Sequence, residues 1–304
     1  MTEGYGRREI RLASASLGGI GSGVSVIGVD RVVAQSAINE RRLASAAVNN
    51  EQDKLQFLET LTTRVGEVDN PNSLLARFSE VEASLNLAMA TPESETQLGV
   101  VVENAKRLVS NINSLADEIV SSREAADAQI AESIDLLNGG LKNISSLNAQ
   151  IRVVSAENGN ANGLIDERQR VIDSISSLIP IVEVSQPFGE VKILTTNGTT
   201  LVGSDAAVFE FSRTATITPD MTLASGALSS VSLSGAESSV GNISSIISGG
   251  SIAAQFEVRD SLAVAWNDSL DEIGLCLESG GNYSMASPNG LLFGFVMPRG
   301  QGFR

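Results

Sequence analysis

The sequence predicts an α+β protein, an elongated helical bundle with long coiled-coil-like helices and a small antiparallel β-rich insertion. Three observations predict it. The first is a helical spacing of apolar residues over roughly 93–157. Val101, Ala105, Leu108, Ile112, Leu115 and Ile119 follow steps of three and four, and after a slip Ile130, Ile134, Leu137, Leu141, Ile144 and Ile151 resume them. A helix of that length spans roughly 90 Å at about 1.5 Å per residue. The second is a change after Pro180 to short β-branched runs divided by tight-turn residues. The third is a supply of aromatic residues of only 4%, which leaves Ala, Ser, Leu, Ile and Val to fill a slender core.

Residues 7–12 read as a short strand, with Ile10 and Leu12 on one face. Residues 13–23 read as a glycine-rich loop, after which Val24, Val26 and Val29 resume the alternation. Tested as a phosphate cradle, the loop fails. Gly19 and Gly21 fit the first and third positions of a dinucleotide fingerprint, but Val24 occupies the sixth, and no Gly-Lys-Ser/Thr follows. Asp30 suits the cap of a helix running to about Val68, with Val33, Ala37, Ala44, Val48, Leu55, Leu58 and either Leu61 or Thr62 broadly along its apolar stripe. Asn70-Pro71-Asn72-Ser73 breaks it.

A second helix, about 73–90, carries Leu74, Phe78, Val81, Leu85 and Met89. Thr91 then fits an N-cap and Pro92 the first position of the long helix. Gly139-Gly140 predicts a kink or fray, since glycine costs about 1 kcal/mol relative to alanine inside a helix. The run from Asn158 to Gly163 is a stop and turn, followed by a helix over about 163–178.

Strands are expected at 181–185, 191–194, 199–202 and 208–211, with Asn197-Gly198 as a hairpin turn. Residues 214–248 read as irregular strands and loops. A last helix, about 251–273, carries Ile252, Phe256, Leu262, Trp266, Leu270 and Ile273, with Trp266 as a packing anchor against the long helix. The expected organisation is short β segments and a glycine-rich loop at 1–30 and a helical bundle domain at 31–180. A β-rich domain at 181–248, a returning helix at 249–273 and an atypical tail at 274–304 follow.

The formal charge of −15 argues against nucleic-acid binding, which needs a basic surface to neutralise phosphates. The absence of histidine removes the commonest general base and metal ligand. Cys276 is the only cysteine, so neither an internal disulfide nor a thiolate metal cluster can form. No catalytic residues, cofactor or metal are expected. No apolar run reaches the ~18 residues needed to cross a bilayer. The segment Met1–Leu12 lacks the apolar core of a signal peptide, so the chain is expected to be cytoplasmic or exported without a cleaved signal.

Several stretches resemble the family of flagellar hook-associated protein 1 (FlgK). Gly4-Tyr5-Gly6-Arg7-Arg8 resembles the "GY-x-R" of rod, hook and hook-associated proteins, and Gly21-Ser22-Gly23-Val24-Ser25-Val26 with Val29-Asp30-Arg31 resembles their "G-x-G-V-x-V-x-x-V-x-R". Asn162-Gly163-Leu164-Ile165-Asp166-Glu167-Arg168-Gln169-Arg170-Val171 resembles the family's "N-x-L-L-D-x-R-D-x-L" segment. Gly189-Glu190-Val191-Lys192-Ile193 and Asn197-Gly198…Leu201-Val202-Gly203 resemble "G-x-V-x-V…G-x-x-L-V-x-G". Gly249-Gly250-Ser251-Ile252-Ala253-Ala254 with Arg259-Asp260 and Leu270-Asp271-Glu272-Ile273 resembles "G-G-x-L-x-A-x-x-x-x-R-D…L-D-x-L/I".

The resemblance implies a structural subunit without catalytic activity, stacked helically between hook and filament. The partners it implies are further copies, hook protein, a second junction protein and an export chaperone. The implied location is the extracellular hook–filament junction. Gly4, Tyr5, Arg7, Asn162, Leu164, Asp166, Arg168, Arg259 and Asp260 carry the family motifs. Asp166 and Arg168 have a plainer expected role, pairing or capping near a helix start. Leu164, Ile165, Val171, Ile172 and Ile175 are expected in the core.

The family's pattern begins earlier than Met1 and continues past Ile273, so the chain is expected to be truncated at both ends, soluble, mostly monomeric and impaired in assembly. The alternative is a coiled-coil adaptor without a flagellar role, which has no need of the 181–211 sheet. A wall hydrolase using Asp166 and Glu167 is disfavoured, because adjacent helix positions point about 100° apart.

Overall fold

The computed structural model describes residues 7–17, 20–32, 34–66, 70–157, 159–235 and 247–278. The architecture is the expected α+β arrangement of long helices bearing a small antiparallel sheet. Strands β1 (Arg7–Leu17) and β2 (Ile20–Val32) form an antiparallel hairpin in which Ile10 pairs with Val29 and Leu12 with Val26. Pairing extends through most of the segment expected to be a loop. Register shifts near Leu12 and Ser16 absorb its irregularity, a role that suits glycine and small residues in strands. Asp30, expected as a helix cap, pairs with Glu9 within the hairpin, and helix α1 (Gln35–Gly66) begins only after it.

The buried face of α1 is not the one its apolar residues suggest. Arg42, Ala46, Phe57, Leu61 and Val65 are buried, whereas Val48 and Leu55 are exposed. A charged residue occupies an inward position, so counting hydrophobes rotates the stripe away from the true face. Helix α2 (Leu74–Ala90) is capped by Ser73, whose hydroxyl accepts from the Ala76 N–H at 3.1 Å. Its inward residues are Leu74, Ser84 and Ala88, while Leu85 and Met89 face solvent.

Helix α3 (Glu95–Ala156) runs for 62 residues. Thr91 closes α2 instead of opening α3, donating its N–H to Ala88 O, and Ser94 caps α3 by accepting from Gln97. Pro92 therefore lies in the intervening turn. At Gly139-Gly140 the α3 helix continues without a break. A Cβ on Gly140 would fall 2.3 Å from Ile175 Cγ2, so this glycine allows a neighbouring helix to approach closely.

That neighbour is α4 (Asn162–Ser176). It leads into β3 (Ile181–Ser185), β4 (Val191–Thr195) and β5 (Thr200–Val202), an antiparallel sheet in that order. Strand β6 (Val208–Glu210) pairs instead with β7 (Ser232–Ser234), which lies in the stretch expected to be irregular. The chain then re-enters the bundle as α5 (Gly250–Glu257), a π turn at Val258–Leu262, and α6 (Ala263–Glu278).

Helix α3 is shared by two hydrophobic cores. Its Ile130, Ile134, Leu137, Leu141 and Ile144 pack with Ile172 and Ile175 of α4, the sheet, Phe209 and Ile252 of α5. Toward its N-terminus, Leu108, Leu115, Ile119 and Ala126 pack with Phe57, Leu61 and Val65 of α1, Leu74 of α2, Val258 of the π turn, and Trp266 and Leu270 of α6. Trp266 is thus a packing residue beside the long helix. As α5 leads into α6, its partners on α3 move back toward the α3 N-terminus, so the two run antiparallel.

Candidate functional site

The motif residues do not converge on one reactive centre. Within the described residues they mark places where buried polar groups fix one element to another. Gly4 and Tyr5 lie outside the described residues, and Arg7 opens β1. Asn162 and Leu164 are half-buried in the first turn of α4, and Asp166 follows, also half-buried.

Arg168 is buried and crosses to α3, a longer reach than a local pairing near a helix start. Its guanidinium donates at 2.8 Å to Asn148 Oδ1 and at 2.8 Å to Gly189 O. Asn148 in turn clasps the β4 backbone, donating to Val191 O at 2.7 Å and accepting from Val191 N at 3.2 Å. Ile172 and Ile175 are core residues, Val171 packs against that core, and Leu164 and Ile165 are half-buried.

The Asn148 clasp recurs. Asn138 of α3 donates to Phe209 O and accepts from Phe209 N, both at 2.8 Å, on β6. Asn39 of α1 donates to Glu183 O at 3.1 Å and accepts from Glu183 N at 3.3 Å on β3. Each asparagine amide satisfies a strand residue's donor and acceptor together, which removes the cost of burying them unpaired. Beside Asn39, buried Arg42 bonds Glu183 at 2.6 Å, Asp173 at 2.7 Å and Gln169 at 2.6 Å. Gln169 also donates to Glu183 at 2.8 Å. One cation thereby joins α1, α4 and β3.

Arg259 and Asp260 sit in the π turn. Arg259 is buried and pairs with Asp127 of α3 at 2.5 Å and with Asp260 at 2.7 Å. It also donates to Ser229 O at 3.0 Å, and its guanidinium carbon lies 4.9 Å from the centre of the Phe256 ring. Burial pulls its pKa down, but hydrogen bonds with Asp260 and Asp127 outweigh that and hold it above the ordinary arginine value.

One turn away on α3, Arg123 donates to the carbonyls of Arg259, Thr218 and Met221. Burial lowers its pKa; Asp260 opposes this and Arg259 adds to it. Asp127 accepts from Thr214 N at 2.6 Å and Glu124 from Ile217 N at 3.0 Å. The irregular segment 212–230 is thus tied to α3 by charged side chains.

Arg42, Arg123, Asp127, Asn138, Asn148, Gln169 and Glu183 were not singled out from sequence. For three of them the signal was present. The slip between Ile119 and Ile130 disappears when Arg123 and Asp127 are counted, because the steps become four, four and three. Asn148 likewise fills the step between Ile144 and Ile151. A polar residue at a position where the spacing demands an apolar one is the mark of a buried clamp.

The family model described as "Flagellar hook-associated protein FlgK helical domain" matches residues 59–285. "Flagellar hook-associated protein 1" of Escherichia coli (strain K12) is 24% identical over 216 residues, covering 67% of this chain and 38% of that protein. The protein of the same name from Bacillus subtilis (strain 168) is 24% identical over 194 residues, covering 59% of this chain and 38% of its own length. This chain therefore spans well under half the length of these curated relatives. The solved structure of the flagellar hook junction protein FlgK from Burkholderia pseudomallei superposes with a TM-score of 0.56 at 16% identity, over 73% of this chain and 39% of that one. At that identity the likeness is one of fold.

Proposed function

The chain belongs to the FlgK helical-domain family of flagellar hook-associated proteins, and from that premise we propose that it is a structural subunit of the junction between flagellar hook and filament. The observation that carries this reading is the match of a FlgK helical domain over residues 59–285, on a molecule organised around one 62-residue helix. The buried polar groups support a structural role, because they are spent on holding backbone and on one another. Arg42, Arg123, Arg168 and Arg259 each end on carboxylates, amides or carbonyls of the chain itself.

The partners in this reading are further copies of the chain, hook protein and a second junction protein, with an export chaperone before assembly. The location is extracellular, at the junction, reached without a cleaved signal peptide. Among the described residues no helix is long and apolar enough to cross a membrane. The function is mechanical, and no catalytic step is assigned to Asp166, Glu167 or any other residue. A free coiled-coil adaptor has no use for the β3–β4–β5 sheet, which Asn39, Asn148, Arg42 and Arg168 hold to the bundle.

Immunogold labelling of the epitope-tagged gene product in its own cells tests the proposal. Label on the distal end of the hook, sparse because assembly is expected to be impaired, is the expected result. Label spread through the cytoplasm or along the cell wall, with none on hooks, would overturn it.

A further inference from the structure

Helices α2 and α3 lie side by side and antiparallel. Asn104 donates to Glu80 O and Asn111 to Asn72 O, so one number falls as the other rises. Along their contact line α2 buries Ser84 and Ala88, and α3 turns in Gln97, Val101 and Leu108. The next residue in each case lies about 100° further round its helix. On α2 these residues are Leu85 and Met89, and on α3 they are Leu98, Val102 and Val109. Rotation in the same sense from the contact line reaches the same side of an antiparallel pair, so all five share one side of the hairpin. Nearer the bundle that side is filled, because Phe78 of α2 and Ile112 and Ala116 of α3 pack into the core with α1 and α6. Toward the tip it is open: Leu85, Met89, Leu98, Val102 and Val109 are 46%, 71%, 48%, 53% and 54% exposed.

We propose that this face is a two-fold interface with the same face of a second copy of this chain, so that two hairpins close a four-helix bundle. Area favours a second copy. The five side chains leave roughly 500 Å² open on each chain, the size of patch that marks an interaction site. A pair therefore buries roughly 1,000 Å² before flanking side chains are counted, which is the size a specific interface has to clear. Charge fits one orientation. Exposed Glu82 follows the contact residue Val81 and rims the face on α2, and exposed Lys106 rims it on α3. Glu80 is level with Asn104, so Glu82 and Lys106 stand about four residues, or ~6 Å, apart along the hairpin, on opposite rims. A two-fold axis along the hairpin lays α3 of each copy on α2 of the other. Each Lys106 then comes beside Glu82 of the second copy, and each Leu98 beside Leu85. The chain is a dimer at high concentration, where its motif pattern predicts mostly monomer, and dilute chain unfolds as the monomer. The dimer does not depend on a place at the junction, which hook labelling reads separately.

Sedimentation equilibrium of the 304-residue chain, from low to high micromolar concentration, tests this. The parent is expected to pass from monomer to dimer and no further. Val102→Lys should raise the dimer Kd about tenfold or more, because a two-fold contact counts each change twice. Val100→Lys adds the same charge on the other side of α3, one residue before the contact line, and should change the Kd less than about twofold. Lys106→Glu should weaken the dimer, and adding Glu82→Lys should restore it. A monomer at every concentration, equal weakening by Val100→Lys, or no rescue by the charge exchange would overturn the proposal. Assemblies that grow beyond the dimer would overturn it too, since a two-fold contact closes.

Discussion

The two ends of α3 solve different problems. Toward its C-terminus every packed layer carries a polar clamp: Asn138 on β6, Asn148 on β4, and Arg168 and Arg42 across α4 and β3. Toward its N-terminus the helix packs on α1, α2 and α6, its amide ties are single donations from Asn104 to Glu80 O at 3.3 Å and from Asn111 to Asn72 O at 2.9 Å, and it turns Leu98, Val102 and Val109 to the surface. Hydrophobic contact is non-directional and tolerates sliding. An amide or guanidinium with defined partners does not. The sheet-bearing end is fixed in position, and the tip is left with apolar surface to bury.

The largest effect that can break this contrast is at Arg42. Arg42→Ala leaves Glu183 buried without its cation and should cost about 3–5 kcal/mol, read as a lowered urea midpoint. A loss under ~1 kcal/mol would mean the cluster behaves like a surface ion pair. Next is the adjacent glycine pair. Gly140→Ala places a methyl against Ile175, itself buried, and should destabilise by about 1–3 kcal/mol. Gly139→Ala meets nothing within 4 Å and should stabilise by up to about 1 kcal/mol. Opposite signs at neighbouring positions, measured by thermal unfolding, separate close packing from helix propensity.

Asn138→Ala removes both bonds to Phe209 and should cost about 1–3 kcal/mol. At the tip, Leu87→Lys and Met89→Lys should each change stability by no more than about 0.5 kcal/mol, since both side chains already face solvent. The smallest effect is a titration. Lys54 is held above its ordinary value of 10.5, chiefly by a hydrogen bond to Glu51 with Glu257 of α5 assisting and burial opposing. Its contribution is fully present below that ordinary value and is lost as pH rises through the raised folded value. A Lys54→Met variant should therefore show a flatter decline in stability above that pH than the parent chain.

Much of the fold was legible because α3 obeys one spacing for most of its length. The β3–β4 hairpin and the position of Trp266 were legible for a similar reason: local pattern and tertiary packing agree there. The errors fell where a residue's role depends on something distant in sequence. Gly140 looks like a helix breaker until Ile175 is placed beside it. Arg42 looks like a surface charge until Glu183 and Asp173 arrive. Thr91 and Ser94 are both competent caps, and only the end of α2 decides between them. Arg168, Arg259 and Asp260 were chosen by resemblance, and their buried partners supply the physical reason those positions matter to this chain.

The asparagine clasps have a consequence for how this domain can vary. Each grips a peptide group, which is the same whatever side chain it carries. Substitutions at outward positions of the same strands, such as Val184 and Val208, would leave the grip itself in place. Across related molecules the mounting of the small sheet can stay constant while its outward surface is rewritten, so that one rigid shaft presents different faces to its surroundings.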